Sequence, residues 1–385
     1  MQQVALSNIA LSKPPKLLHV QMLRAFAALF VVVTHALNET REMLEAQGLH
    51  FDDKIYPGDF GVDIFFIISG FIMVFVSRDA FGSAGAGWSF LVRRVARVAP
   101  LYWIMTLVVV AIVFVAPQLM DNGTNDPTHW LGSFLFVPVE RPTDGLIRPL
   151  LGIGWTLQYE MFFYFLFAIA LFWPIKKAVP GVIAAIVLIV FAGLVMQPGN
   201  AQLKFWSDPI MLEFAAGVGV GWLYLKGYRL DHQRFWGLMY WGLLILAFAP
   251  AFTMDREIWR VVFYGIPALI IVAACVLTRD VDRRPIPNFL VALGASSYSL
   301  YLTHPFVLGG LKVVWMKLGL VDLVGPMVLP WVFVCISLVI CAIFGHMVHL
   351  MLEYPITKIL LGGLNRQGER KNLKTANRVA ISSAN

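Results

Sequence analysis

Long uninterrupted apolar runs recur along the whole chain, and they constrain its fold more than any other feature. Gly181–Met196 (GVIAAIVLIVFAGLVM) is typical. Such runs come in blocks of roughly 18–25 residues, the length a helix needs to cross about 30 Å of hydrocarbon. A membrane β-barrel would instead alternate apolar and polar residues over short segments, and Gly181–Met196 does not alternate. Within hydrocarbon every backbone N–H and C=O must be paired internally, so the expected fold is an all-α polytopic membrane protein. Composition agrees: 59% of the 385 residues are hydrophobic and the mean hydropathy is +0.73, above the 45–50% or so of soluble domains.

Ten spans are read at about 20–38, 59–77, 99–116, 152–173, 178–196, 208–226, 235–252, 259–278, 290–313 and 327–352. Trp130–Val137 is too short to cross and is expected at the interface. Lys and Arg in alternate connections number roughly 20 on one side, from Lys13 to Arg378, against 7 on the other (Arg41, Lys54, Arg141, Arg148, Lys204, Arg256 and Lys317). The richer side is cytoplasmic by the positive-inside rule, and an even span count puts both termini there. The division expected is a cytoplasmic segment 1–18, a membrane domain 19–361 and a polar, disordered cytoplasmic tail 362–385.

The net charge of +7 is accounted for by these helix-end cations, so no nucleic acid is expected. Cys275, Cys335 and Cys341 lie in apolar runs without metal or redox spacing. They read as small core residues, and no metal is expected.

Ionisable side chains inside spans are costly and mark functional sites. Arg24 and His35 lie in the first span, Asp63 opens the second, and Glu160 is in the fourth. Glu213 is in the sixth, His304 in the ninth, and His346 and His349 in the tenth. His35 lies about 16 Å beyond Arg24, His304 roughly 20 Å into an outward-running span, and Glu160 about 12 Å down an inward-running one. These depths let His35, His304 and Glu160 meet at one level, with Asp63 just above. A histidine beside a carboxylate makes an acid–base pair; the competing reading of a lone helical histidine is a hydrogen-bonded packing residue. Arg93-Arg94-x-x-Arg97, followed by Pro100 and Tyr102-Trp103, reads either as a positive-inside anchor with an aromatic belt or as a cytoplasmic anion-docking point.

Several motifs, in this order, resemble the acyltransferase 3 family of integral membrane acyltransferases, and most closely its bacterial exopolysaccharide O-acetyltransferases. They are Leu23-Arg24 through His35, Gly61-Val62-Asp63 through Gly70-Phe71, and Arg94-x-x-Arg97. Trp155-Thr156-Leu157-Gln158-Tyr159-Glu160, Ser297 through His304-Pro305, and Glu353-Tyr354-Pro355 follow. The resemblance runs from about Leu17 to Leu361; Thr156 stands where many members have Ser.

The resemblance implies transfer of an acetyl or other small acyl group from cytoplasmic acyl-CoA, usually acetyl-CoA, to a hydroxyl of a lipid-linked or nascent polysaccharide at the bacterial inner membrane. It ties Arg24 and His35 to catalysis. The residue assignment expected is His35, Glu160 and Asp63 in the chemistry, with Arg24, Arg94, Arg97, Tyr301 and His304 holding acyl-CoA. Glu160 or Asp63 would orient His35, and Arg24 would hold a CoA phosphate or neutralise a carboxylate such as Glu213. His35 would act as general base or become transiently acylated. A homo-oligomer is compatible with such a chain. The alternative class is a proton-coupled transporter or flippase for a glycan or organic anion, since intramembrane His, Glu and Asp also form proton relays. Paired broken-helix repeats, a frequent mark of that class, are not evident.

Overall fold

The computed structural model describes residues 17–51, 60–116, 124–249, 257–279 and 286–364. Helices dominate, and among the described residues only isolated β-bridges occur besides. In chain order they are α1 (Leu18–Glu45), α2 (Phe60–Val76), α3 (Ala86–Val115), α4 (Pro127–Phe134) and α5 (Trp155–Ala170). Next come α6 (Ile175–Met196), α7 (Ala201–Trp206), α8 (Met211–Leu225), α9 (His232–Phe248) and α10 (Glu257–Arg260). The set ends with α11 (Ile266–Leu277), α12 (Asn288–Ala295), α13 (Ser297–Lys317), α14 (Leu320–Val324) and α15 (Leu329–Val348).

Each of the ten predicted spans coincides with helix. Five are long and apolar enough to cross a membrane: Leu18–Glu45, Ala86–Val115, Gly152–Ala170, Ile175–Met196 and Leu329–Leu364; Phe60–Val76 and Val261–Leu277 are shorter apolar helices. The ninth predicted span, 290–313, is two helices separated at Ser296. The tenth runs through a π-helical turn at His349–Glu353 and remains helical to Leu364, into what the sequence suggested was tail. The segments 1–16 and 365–385, and with them Lys13, Lys16, Lys54, Arg256, Arg283, Arg284 and the tail cations of the charge count, lie outside the described residues. Trp130–Val137 contributes to α4, whose first turn is capped by Asp126, accepting from the N–H groups of Thr128 and His129, with Pro127 at its start.

The core has three parts: α2 packs with α3, α5, α6 and α8, α1 and α2 pack against α11, and α1 packs against α13 and α15. Backbones meet closely between α2 and α8. A Cβ placed on Gly217 would overlap the carbonyl oxygen of Ile67, and one on Gly70 that of Phe214. Without apolar driving force against lipid, small residues let helices approach and gain dispersion contacts. Gly294 similarly lets α12 rest on the backbone of Gln21 in α1. Cys275 and Cys341 are buried, but Cys335, expected in the core, is exposed on the outward face of α15.

Candidate active site

Helices α1, α2, α3, α5 and α13 enclose a cavity of about 360 Å3. Residues at i and i+3 or i+4 share a helix face. That spacing turns Arg94, Arg97 and Val98 of α3 toward the cavity, and Glu160 and Tyr164 of α5 likewise. Arg24 of α1 and Ser69 of α2 complete this end. Tyr164 and Ser69 both donate to Oε1 of Glu160, the latter at 2.9 Å. The charges acting on Arg24 are those of Arg97, Glu353 and Glu160. Three arginines therefore face one lining carboxylate, so the cavity carries excess positive charge. Among the residues that line it, Nε of Arg94, Oε1 of Gln21 and Oγ of Ser297 are buried without a hydrogen-bond partner. This inventory suits an anion attached to an amide-bearing chain.

The histidines lie beyond the Tyr301 ring. The imidazoles of His35 (α1) and His304 (α13) have centroids 4.9 Å apart, and His304 lies 5.8 Å from Tyr301. Tyr301 lines the cavity one turn before His304. Its hydroxyl is fixed by Ile153 O at 2.9 Å and Thr156 Oγ1 at 3.0 Å, so the Thr at this motif position does the work of a serine hydroxyl. His304 is fully buried and His35 half-buried. Neither ring nitrogen of His304 makes a well-formed hydrogen bond; its nearest acceptors are the carbonyls of Leu300 and Tyr301.

Of the residues singled out in the sequence, Arg24, Arg94, Arg97, Glu160 and Tyr301 thus share one cavity, with the His35–His304 pair beside it. Glu160 takes Ser69 and Tyr164 as partners at the arginine end. Asp63 belongs to a separate buried cluster: Arg260 donates to its Oδ2 at 2.8 Å, and the buried Glu213 lies near enough to feel the charges of both. The cation for Glu213 is accordingly Arg260, where the sequence reading offered Arg24. Sequence reasoning missed Arg260, whose signal is a lone cation leading into the apolar run Val261–Leu277. It also gave no role to Glu353, which accepts from Ser299 at 2.7 Å and pairs with His349 Nδ1 at 2.8 Å. The Glu353-Tyr354-Pro355 motif was its signal, and the structure adds the π turn at 349–353. Three tryptophans are engaged in packing: Trp130 against Phe114, Trp155 against Phe66 and Tyr159, and Trp206 on Phe162.

A helical domain that closes around a cationic cavity, with a pair of imidazoles behind its Tyr301 wall, has the make-up of a membrane-embedded group-transfer enzyme. Residues 18–346 match the family model described as Acyltransferase domain, and the chain belongs to this acyltransferase 3 family. It is similar to the Exopolysaccharide production protein ExoZ of Rhizobium meliloti (strain 1021), 32% identical over 278 residues, 72% of this chain and 83% of that protein. It is also similar to the Acyltransferase MdmB of Streptomyces mycarofaciens, 24% identical over an alignment of 400 positions, 94% of this chain and 96% of that one. No solved structure matches significantly.

Proposed function

We propose that this protein moves an acetyl or other small acyl group from cytoplasmic acyl-CoA to a hydroxyl of an exopolysaccharide or related glycan precursor. It would work as a ten-span protein of the bacterial inner membrane, both termini cytoplasmic. The observation that carries the reading is the arrangement of Arg24, Arg94 and Arg97 at one end of a cavity whose Tyr301 wall adjoins His35 and His304.

Arginines bind phosphates through charge-assisted, often bidentate hydrogen bonds. Arg94 and Arg97 hold the nucleotide phosphates at the cytoplasmic end, with Arg24 inward of them and Glu160 orienting the cations. From Arg24 to His35 is about 16 Å along α1, a span within reach of a pantetheine arm. Gln21 and Ser297 meet that arm's amides.

His35 is the reacting member of the histidine pair because it is the partly accessible one; His304, fully buried, positions it. His35 takes the proton from the sugar hydroxyl as the oxygen attacks the thioester carbonyl carbon. The carbon–sulfur bond then breaks, and the departing thiolate receives the proton from the imidazolium. General acid–base catalysis of this kind contributes about 10²- to 10⁴-fold.

The test is radiolabel transfer from acetyl-CoA to lipid-linked glycan in inverted vesicles, comparing wild type with His35→Ala at matched expression. Loss of label supports the assignment. Wild-type transfer by the variant overturns the role of His35, and no transfer by wild type across several donors and acceptors moves the transporter reading forward.

A further inference from the structure

Helix α13 carries a proline in its interior, Pro305, next to His304. Proline has no N–H, and its ring presses on the carbonyl four residues back. That carbonyl belongs to Tyr301. An α-helix would meet it with the amide of residue 305, so here another donor has to serve it. The surroundings are dry: Leu300, Leu302, Thr303 and His304 are 1% exposed or less, and Tyr301 is buried. Backbone groups freed by a proline inside a membrane helix are met by side chains or neighbouring elements. The nearby hydroxyls are engaged elsewhere, Thr303 donating to Ser299 O at 2.8 Å and Tyr301 to Ile153 O at 2.9 Å.

The His304 ring is a donor already in place. A neutral imidazole carries one N–H and a charged one carries two. Both ring nitrogens of His304 are buried without a well-formed partner, and the acceptors nearest them are the carbonyls of Leu300 and Tyr301. These two carbonyls are not equivalent. Within the helix Leu300 O takes the amide of His304 itself, whereas Tyr301 O has lost its amide to the proline. A buried N–H without an acceptor is costly. A small turn of the ring onto Tyr301 O removes that cost and serves the carbonyl. The nitrogen nearer the backbone, Nδ1, is the one that reaches a carbonyl of its own helix, and the neutral ring is then bare at Nε2. The neighbour of that ring is His35, with centroids 4.9 Å apart.

We propose that Pro305 is a positioning residue for the reaction: by withholding an amide from Tyr301 O, it reserves that carbonyl for Nδ1–H of His304, whose bare Nε2 accepts an N–H of His35. The other nitrogen of His35 is then unprotonated, the state in which it takes the proton of an attacking hydroxyl. When it does so, the imidazolium keeps its N–H on His304, and no proton passes to His304. A backbone carbonyl here fixes the tautomer through a second imidazole, the part a carboxylate takes in a Ser-His-Asp triad. The catalytic consequence rests on the proposed function; the tautomer of His304 does not.

The first measurement is ¹⁵N NMR of the intact, histidine-labelled protein in proteoliposomes, the His304 signals being those absent from His304→Phe. His304 is expected to show its proton on Nδ1 and none on Nε2. A proton on Nε2 overturns the inference. The spectrum needs no turnover, so it is read whether or not acyl transfer is found. The second measurement is on Pro305→Ala, which returns an amide to Tyr301 O. This variant is expected to melt no lower than wild type, because proline is unfavourable in a helix interior. Its His304 should lose the fixed Nδ1–H tautomer. In the transfer assay kcat should fall about three- to tenfold, the loss of one uncharged hydrogen bond, with KM for acyl-CoA unchanged. Wild-type kcat in this variant, a fall in kcat with the tautomer unchanged, or early melting that assigns Pro305 to the fold would each overturn the proposal.

Discussion

The imidazole rings of His35 and His304 lie 4.9 Å apart and tilted by 52°, one from α1 and the other from α13. Only His35 is partly accessible. On the proposed mechanism His304 shapes the reactivity of its neighbour without touching the acceptor. His304→Phe, which keeps a ring of similar shape, is expected to lower kcat by about 10²-fold, the lower range for a lost acid–base contribution. KM for acyl-CoA should change little, because the arginines are untouched. Steady-state kinetics on purified variant checks both; a rise in KM with kcat intact would assign His304 to donor binding.

The arginine end makes a different demand. Arg97→Gln removes charge-assisted hydrogen bonds of about 1.5–3 kcal/mol, equivalent to about 10- to 100-fold in KM for acyl-CoA. With an acyl-pantetheine donor lacking the nucleotide, wild type and variant should converge. Persistence of the difference on the truncated donor would show that Arg97 acts on the fold or on the chemistry.

The cluster of Asp63, Glu213 and Arg260 joins α2, α8 and the turn before α11. Removing one partner of a buried ion pair costs about 3–5 kcal/mol, because the other charge is stranded. Arg260→Gln should accumulate poorly and melt early in detergent. The double variant Arg260→Gln/Asp63→Asn should recover much of the loss. Failure of the second change to rescue would mean that Arg260 contributes by packing over Tyr264 more than by its charge.

Gly217 and Gly219 sit on the same helix in opposite situations. A Cβ on Gly217 meets the backbone of Ile67, whereas one on Gly219 meets open space. Gly217→Ala is expected to cost about 1–3 kcal/mol by overpacking, and Gly219→Ala nothing measurable. Thermal unfolding in matched detergent compares them directly.

What could be read from the sequence divides along a physical line. Span positions follow from apolar block length, and among the described residues each block contains helix, five of them long and apolar enough to cross a membrane. Depth follows from the rise per residue, which is why His35 and His304 could be set at one level before their contact was seen. The angular position of a residue around its helix follows from packing between helices, and the chain carries little record of it. Depth itself fails for Asp63 and Glu160, because it is counted from assumed span ends. Gly61 at the start of α2 sits against Ala27, about two turns below His35, so Asp63 lies lower than His35 and meets Arg260, while Glu160 meets Ser69 deeper still, at the arginine end. The break at Ser296 falls in the small and polar stretch Gly294-Ala295-Ser296-Ser297, which a reading by apolar block length runs through as one span; there Gly294 sits on the backbone of Gln21.

Helix α2 is fastened on two sides, to α8 through Gly70 and Gly217 and to α1 through Gly61, where a Cβ would overlap the carbonyl of Ala27. A wall fixed backbone to backbone does not retreat from a bulkier guest. On the proposed function, selectivity for the length of the transferred chain would fall to the side chains that face the cavity near the histidines, Phe65 from α2 and Tyr301 from α13, whose rings meet edge to face at 6.2 Å. A relative that handles a longer acyl group on this scaffold would be expected to differ at those two positions while keeping the glycines.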